Sequence, residues 1–144
     1  MNFDQARTVR EGLMSLHRRL RAEHLGEVSL TLILVLGVID RRGARTHPSD
    51  IAGELGIARS NVAVALRELT EAGLVVAGDD PEDGRRKLLR LTPRGKALLK
   101  RDRERREAWL VSAAGDELSP DERETLVRAA DIMRRLADWK GTDR

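Results

Sequence analysis

The chain has 144 residues, with 27 Lys+Arg against 24 Asp+Glu for a formal net charge of +3, 40% apolar residues and no Cys. That length supports one domain with a real hydrophobic core, and the composition is that of a folded, heavily charged chain. The absence of Cys excludes a disulfide scaffold, a thiolate zinc site, a cysteine nucleophile and a thiol redox sensor. Aromatic residues at 2% leave no platform for stacking single-stranded bases.

Residues from Asn2 to about Glu23 place Val9, Leu13, Leu16 and Leu20 four, three and four apart. This is one apolar stripe on a helix, with Arg10, Arg18, Arg19 and Arg21 off it. The same stretch mixes acids with bases and lacks a continuous apolar core, so it does not read as a signal peptide. Leu30 to Ile39 is the most hydrophobic run. It is about half the ~20 residues a membrane span needs, and it reads as a helix buried on all sides, capped by Ser29 and broken at Gly43. His47-Pro48 opens a short helix with Pro at its first position. That helix turns Ile51, Ala52 and Leu55 inward and ends at Gly56. A further helix, about Arg59 to Ala72, stops at Gly73.

The period then changes. Leu74-Val75-Val76 is a short β-type run, and Lys87 to Leu91 alternates as a returning strand. Asp83-Gly84 in the polar stretch between them signals a hairpin. Thr92-Pro93 starts a charged helix running to about Ala114. Ser119-Pro120-Asp121-Glu122 is a capping box with proline at the first helical position. It opens a last helix with Leu126, Ala129, Ala130, Met133, Leu136 and Ala137 on its apolar face. The expected fold is mainly α with a small β-hairpin (α+β): a winged helix-turn-helix flanked by long helices.

Ala52, Gly56 and Val62 carry the helix-turn-helix reading: a small residue where two helices cross, a turn glycine and an inward apolar residue. A plain helical hairpin is the alternative for this segment alone, and the β-hairpin that follows argues against it. With Val62 inward, Ala58, Ala65, Leu66 and Leu69 share its side at 100° per residue. Ser60, Val64 and Arg67 point the opposite way, with Asn61, Ala63 and Glu68 at the flanks. Arg suits guanine, Asn suits adenine, and Ala or Val methyls suit the thymine methyl, so this face fits base edges in a major groove. A merely solvated helix face is the other reading, against which the outward valine argues. The loop Gly78 to Lys87 has acids first and bases last. Arg85, Arg86 and Lys87 are placed to meet phosphates or a minor groove, while pairing of Arg85 with Asp80 or Asp83 is the structural alternative.

Asp80-Pro81-Glu82-Asp83-Gly84-Arg85, followed by Leu88, Leu91-Thr92-Pro93 and Gly95, resembles the wing signature of the MarR (multiple antibiotic resistance regulator) family. That signature is an Asp-x-Arg-Asp-x-Arg hairpin leading into a Leu-Thr-x-x-Gly helix start. Ile51-Ala52, Leu55-Gly56-Ile57, Val62, Leu69 and Gly73-Leu74-Val75 are similar to the family's helix-turn-helix, and the likeness runs over essentially the whole chain. It implies a single MarR-like domain over 1–144, with a DNA-binding lobe at 29–92 and helical dimerisation regions at 1–24 and 93–140. It also implies a homodimeric transcription regulator that reads double-stranded DNA at a pseudo-palindromic operator, a repressor relieved by a small-molecule effector. Half-sites would lie about one DNA turn (~34 Å) apart. Two departures stand out. Glu82 occupies the first Arg position of the wing signature, and Ala63-Val64 replaces a frequent Thr-Arg pair. The expected DNA contacts are therefore Arg59, Ser60, Asn61, Ala63, Val64 and Arg67 on the recognition helix and Arg85, Arg86 and Lys87 on the wing. A winged-helix protein-interaction module that never touches DNA is the alternative, kept open by Glu82 and the modest net charge.

No nucleotide-binding or metalloprotease motif is present, and an enzyme is not expected. His17 and His24, seven apart on one helix without an acid pair, and His47 before a proline make no metal site. No cofactor and no membrane partner are expected, and the location implied is cytoplasmic. The net charge divides unevenly: 0 over residues 1–40, +1 over 41–92, +4 over 93–114 and −2 over 115–144. The largest basic surplus therefore lies on the helix after the wing.

Overall fold

The computed structural model describes residues 1–141. It forms two compact units, Met1–Arg106 and the part from Glu107 onward. The first contains helices α1 (Phe3–Ala22), α2 (Leu30–Arg42), α3 (Pro48–Leu55) and α4 (Arg59–Glu71), the strands β1 (Val75–Asp79) and β2 (Lys87–Leu91), and the first part of α5 (Pro93–Glu117). The second contains the end of α5 and α6 (Pro120–Ala137).

The apolar run becomes the centre of the first unit. In α2, Leu32, Ile33, Val35, Leu36, Gly37, Val38 and Ile39 are all buried, and Ser29 accepts the Leu32 N–H to cap the helix. Around it pack Ile51 of α3, Val62, Ala65 and Leu69 of α4, Val75 and Leu89 of the hairpin, and Leu98 and Leu99 of α5. Gly56 closes α3 in the left-handed conformation (φ 64°), which glycine adopts without Cβ strain. The strands run antiparallel, with Val75 opposite Leu91 and Asp79 opposite Lys87, and Thr46 adds one bridge to Leu89. Thr92 locks the base of the hairpin: its hydroxyl donates to Gly73 O at 2.6 Å and accepts the Gly95 N–H at 3.0 Å.

Several boundaries differ from expectation. The first helix ends at Ala22, so His24 is not on it and does not share a face with His17. The Leu25 N–H is drawn to the buried Asp102 carboxylate (3.0 Å), and His24 Nδ1 accepts the Gly26 N–H, so long-range and local bonds together turn the chain. Ala58 is not inward; it is the exposed N-cap residue of α4. Gly78 and Asp79 belong to β1, not to the loop, because β2 supplies ladder partners as far as Lys87. The fifth helix runs to Glu117, past Ala114 and through Gly115.

Three arginines of α5 meet acids from elsewhere in the first unit, Arg101 with Glu27 (3.0 Å), Arg103 with Asp40 (2.8 Å) and Arg105 with Glu23 (3.9 Å), while Arg106 pairs within the helix with Asp102. Much of the basic surplus noted in the sequence is thus matched within the chain. The helix α1 buries none of its residues, and the Val9 and Leu13 stripe is exposed. Likewise α6, capped by the Ser119–Glu122 box, leaves Val127, Ile132 and Leu136 open to solvent.

Candidate nucleic-acid interface

All nine side chains proposed from the sequence are exposed. The structure sorts them into neighbourhoods. Arg59 at the start of α4 lines a cleft of about 290 Å³ together with Arg85, Arg86 and Lys87 of the wing and with His47, Pro48 and Ser49. Ala63 and Arg67 line a second, larger cleft that Lys87 also reaches, with Leu66, Ala77 and Leu89 as its apolar wall. Asn61 and Val64 border a third, on the flank of α4 nearer Ser29 and Thr31. Helix α4 therefore stands as a ridge. Arg59, Ala63 and Arg67 join the wing side, Asn61 and Val64 fall on the other, and Ser60 lines none of these three clefts.

The wing is held by bonds the sequence did not disclose. Asp80 is buried, and it does not pair with Arg85. Its Oδ1 accepts the Glu82 N–H (2.9 Å), its Oδ2 lies 2.9 Å from His47 Nε2, and its N–H donates to Arg86 O. Asp83 accepts the backbone N–H of Arg85 at 3.1 Å, not its guanidinium. Both acids thus shape the turn through main-chain bonds, and the Arg85 side chain has no acidic partner among the described residues. Lys87 is less open than expected, because it pairs with Asp79 across the strands. Glu82 pairs with Arg45 at 2.6 Å, so its charge is met by a basic residue missed in the sequence.

His47 also precedes α3, where its N–H donates to Asp50 Oδ2 at 2.8 Å. That backbone bond holds the Asp50 carboxyl below its ordinary range, with Arg42 adding to the effect. Asp80 is held low first by the bond from His47 and then by the Glu82 N–H. A carboxylate with a depressed pKa in the folded state stabilises it above the unfolded value of about 3.9, and that contribution is lost as pH falls through the folded pKa. Thermal melts taken from about pH 5 down to about pH 3 should therefore show a falling midpoint. Asp50→Asn and Asp80→Asn should each make that fall shallower; an unchanged slope in both would remove these acids from the acid response.

No group of three or more His, Cys, Asp or Glu is placed to hold a metal ion among the described residues. No helix among them is long and apolar enough to cross a membrane.

An exposed, mixed polar and apolar helix beside a hairpin whose returning arm carries Arg85, Arg86 and Lys87 is the form of a DNA-binding transcriptional regulator. The MarR family profile matches residues 28–86, the segment that holds the helix-turn-helix and most of the wing. An HTH-type transcriptional regulator of Mycobacterium bovis is 31% identical over 127 residues, covering 88% of this chain and 87% of its own. The crystal structure of a transcriptional regulator from Pseudomonas aeruginosa superposes with a TM-score of 0.87 at 34% identity, covering 96% of each chain. The PcaV transcriptional regulator from Streptomyces coelicolor, solved in complex with its natural ligand, is 27% identical with a TM-score of 0.57, covering 95% of this chain and 92% of its own. The chain belongs to the MarR family of winged helix-turn-helix regulators.

Proposed function

We propose that the chain acts as a homodimeric repressor. In this reading α4 lies in the major groove of a pseudo-palindromic operator, the wing arginines lie against the adjacent backbone or minor groove, and a small-molecule effector relieves binding. The observation that carries it is the cleft joining Arg59 to Arg85 and Arg86, which gathers three guanidiniums from two elements beside an exposed recognition helix. Residues 29–92 serve as the DNA-binding lobe, and residues 1–24 and 93–140 as the dimerisation region. The ligand complex of PcaV supports the effector, since an equilibrium between two arrangements shifts only when a ligand favours one of them. Of the two grounds for the interaction-module alternative, the modest net charge stands, and the Glu82 charge is paired with Arg45.

The test is a binding titration against duplexes from the DNA flanking the gene, at about 50 and about 200 mM salt. Specific binding should keep its sequence preference while weakening steeply with salt. Arg67→Ala should weaken it by about 5- to 150-fold, the equivalent of ~1–3 kcal/mol for a base contact, and should relax preference at one position. Arg85→Ala should weaken all sequences alike and reduce the salt slope by about 1. Full affinity in both variants would remove these residues from the interface.

The dimer has its own measurement. Leu136 and Ile132 are more than half exposed on α6, an apolar face of the kind subunit association covers. Leu136→Asp should shift the mass measured by light scattering from about twice 16 kDa to the single-chain value. A wild-type monomer at micromolar concentration would overturn the dimer.

A further inference from the structure

We propose that Arg45 is a contact to the DNA backbone and that Glu82 is the positioning residue that aims it, so that the wing tip works with a guanidinium supplied by the turn before α3. The inference rests on the DNA-binding reading above and adds a side chain to it. The turn Gly43–Arg45 precedes α3, and Thr46 after it is extended (φ −94°, ψ 125°) and fully buried. Thr46 O accepts the Leu89 N–H at 2.9 Å and its hydroxyl donates to Gly43 O at 2.8 Å, so this stretch is fastened to the hairpin. Along extended backbone, successive side chains point to opposite faces. With Thr46 turned into the core, Arg45 and His47 on either side of it share the other face. Both reach the wing loop: His47 Nε2 lies 2.9 Å from Asp80 Oδ2, and Arg45 Nη2 lies 2.6 Å from Glu82 Oε1. These are two rungs, set two residues apart on each segment. His47 lines the cleft that holds Arg59, Arg85 and Arg86, so Arg45 extends that row of cations toward the tip of the wing.

Stability does not account for the Arg45–Glu82 pair. The two side chains are 70% and 74% exposed, and an ion pair that open contributes little to folding. No second acid pairs with Arg45 among the described residues, and one carboxylate engages only part of a guanidinium fork with five N–H donors. The remaining donors are open to a phosphate. Glu82 holds the long side chain at the wing loop before DNA arrives, which reduces the rotamer freedom lost on contact. Charge fixes the order of the groups. A carboxylate facing phosphates is repelled, whereas a guanidinium set between the two is attracted to both. The chain thus supplies, from outside the wing, the cation that position 82 itself lacks.

The test is a double-mutant cycle on the intact chain, read by anisotropy of a labelled mixed-sequence duplex of about 30 base pairs at about 50 to about 200 mM salt. Arg45→Ala should weaken binding on the order of fivefold and lower the salt slope by about 1. Glu82→Gln in the otherwise native chain should bind no more tightly than wild type, although it removes a negative charge. In the Arg45→Ala background the same change should tighten binding by about two- to threefold, because the acid there faces phosphate bare. Melting midpoints of all three variants should stay within about 4 °C of wild type, as an exposed pair requires. A larger drop would make the pair a structural brace and overturn the proposal. Full affinity in Arg45→Ala overturns the contact. Tightening by Glu82→Gln in both backgrounds means that the acid merely repels DNA. No tightening in the Arg45→Ala background means that the pair only braces the wing. Either result overturns the positioning role. If wild type binds no duplex, the DNA-binding reading fails and takes this inference with it, whereas wild-type binding with an unaltered Arg45→Ala removes the inference alone.

Discussion

Gly95→Ala should lower stability by about 3 kcal/mol, at the upper end for overpacking a core. Gly95 is buried in the first turn of α5, and a Cβ built there would lie 2.1 Å from Leu74 O and 3.0 Å from Leu74 C. Both are main-chain atoms, so no rotamer change relieves the clash. Either the start of α5 or the entry to β1 must move, and the Thr92 bonds to Gly73 and Gly95 that fasten the hairpin move with it. The helix-propensity gain from glycine to alanine, about 0.5–1 kcal/mol, offsets only part of the cost. Thermal melts should show a midpoint lower by roughly 10 °C. Gly53→Ala is the matched control: this glycine lies inside α3 with nothing within 4 Å of the new Cβ, so the same change there should stabilise slightly. Equal melting of the two variants would contradict the close approach of α5 to Leu74.

Asp102→Ala is expected to be comparably damaging, at about 3 kcal/mol, because it removes a fully buried acid that both pairs with the partly exposed Arg106 and accepts a main-chain N–H. Asp102 is fully buried on α5. It accepts the Leu25 N–H from 77 residues earlier and pairs with Arg106. Alanine would leave both the Leu25 amide and the Arg106 guanidinium without that acceptor, and the bend between α1 and α2 would lose its anchor. Asp102→Asn keeps an oxygen for Leu25 while discarding the charge, so it should fall between wild type and alanine. Urea unfolding followed by circular dichroism orders the three. An alanine variant as stable as wild type would mean that the pair contributes nothing to the native state.

Local chemistry made most of the secondary structure legible. Ser29, Thr92-Pro93 and the Ser119–Glu122 box each start a helix where hydroxyl and proline placement says they should, and Gly56 and Gly73 both adopt the positive φ that stops one. The hairpin and the all-round burial of α2 follow equally from pattern. What sequence could not disclose is what distant residues do to one another. His47 looked like a residue before a proline because its partner Asp80 is 33 positions away, and Asp102 looked like one charge among many on α5. The helical projection placed Ala58 inward because angular arithmetic does not know where a helix begins. At the candidate interface, residue type and face indicated which side chains are exposed. The division of α4 into two flanks, the pairing of Lys87 with Asp79 and the rescue of Glu82 by Arg45 all depend on how strand and loop fold back.

The arginines of α5 that meet acids of their own chain bear on how such a regulator travels along a chromosome. Hold on arbitrary sequence grows with the number of phosphate counterions displaced. Arg101, Arg103 and Arg105 face acids of their own chain, so these three cations displace fewer phosphate counterions than their number implies. On the proposed DNA-binding reading, the balance of affinity then passes to α4 and the wing, and the internal pairing that steadies α5 also tilts the protein toward its own site.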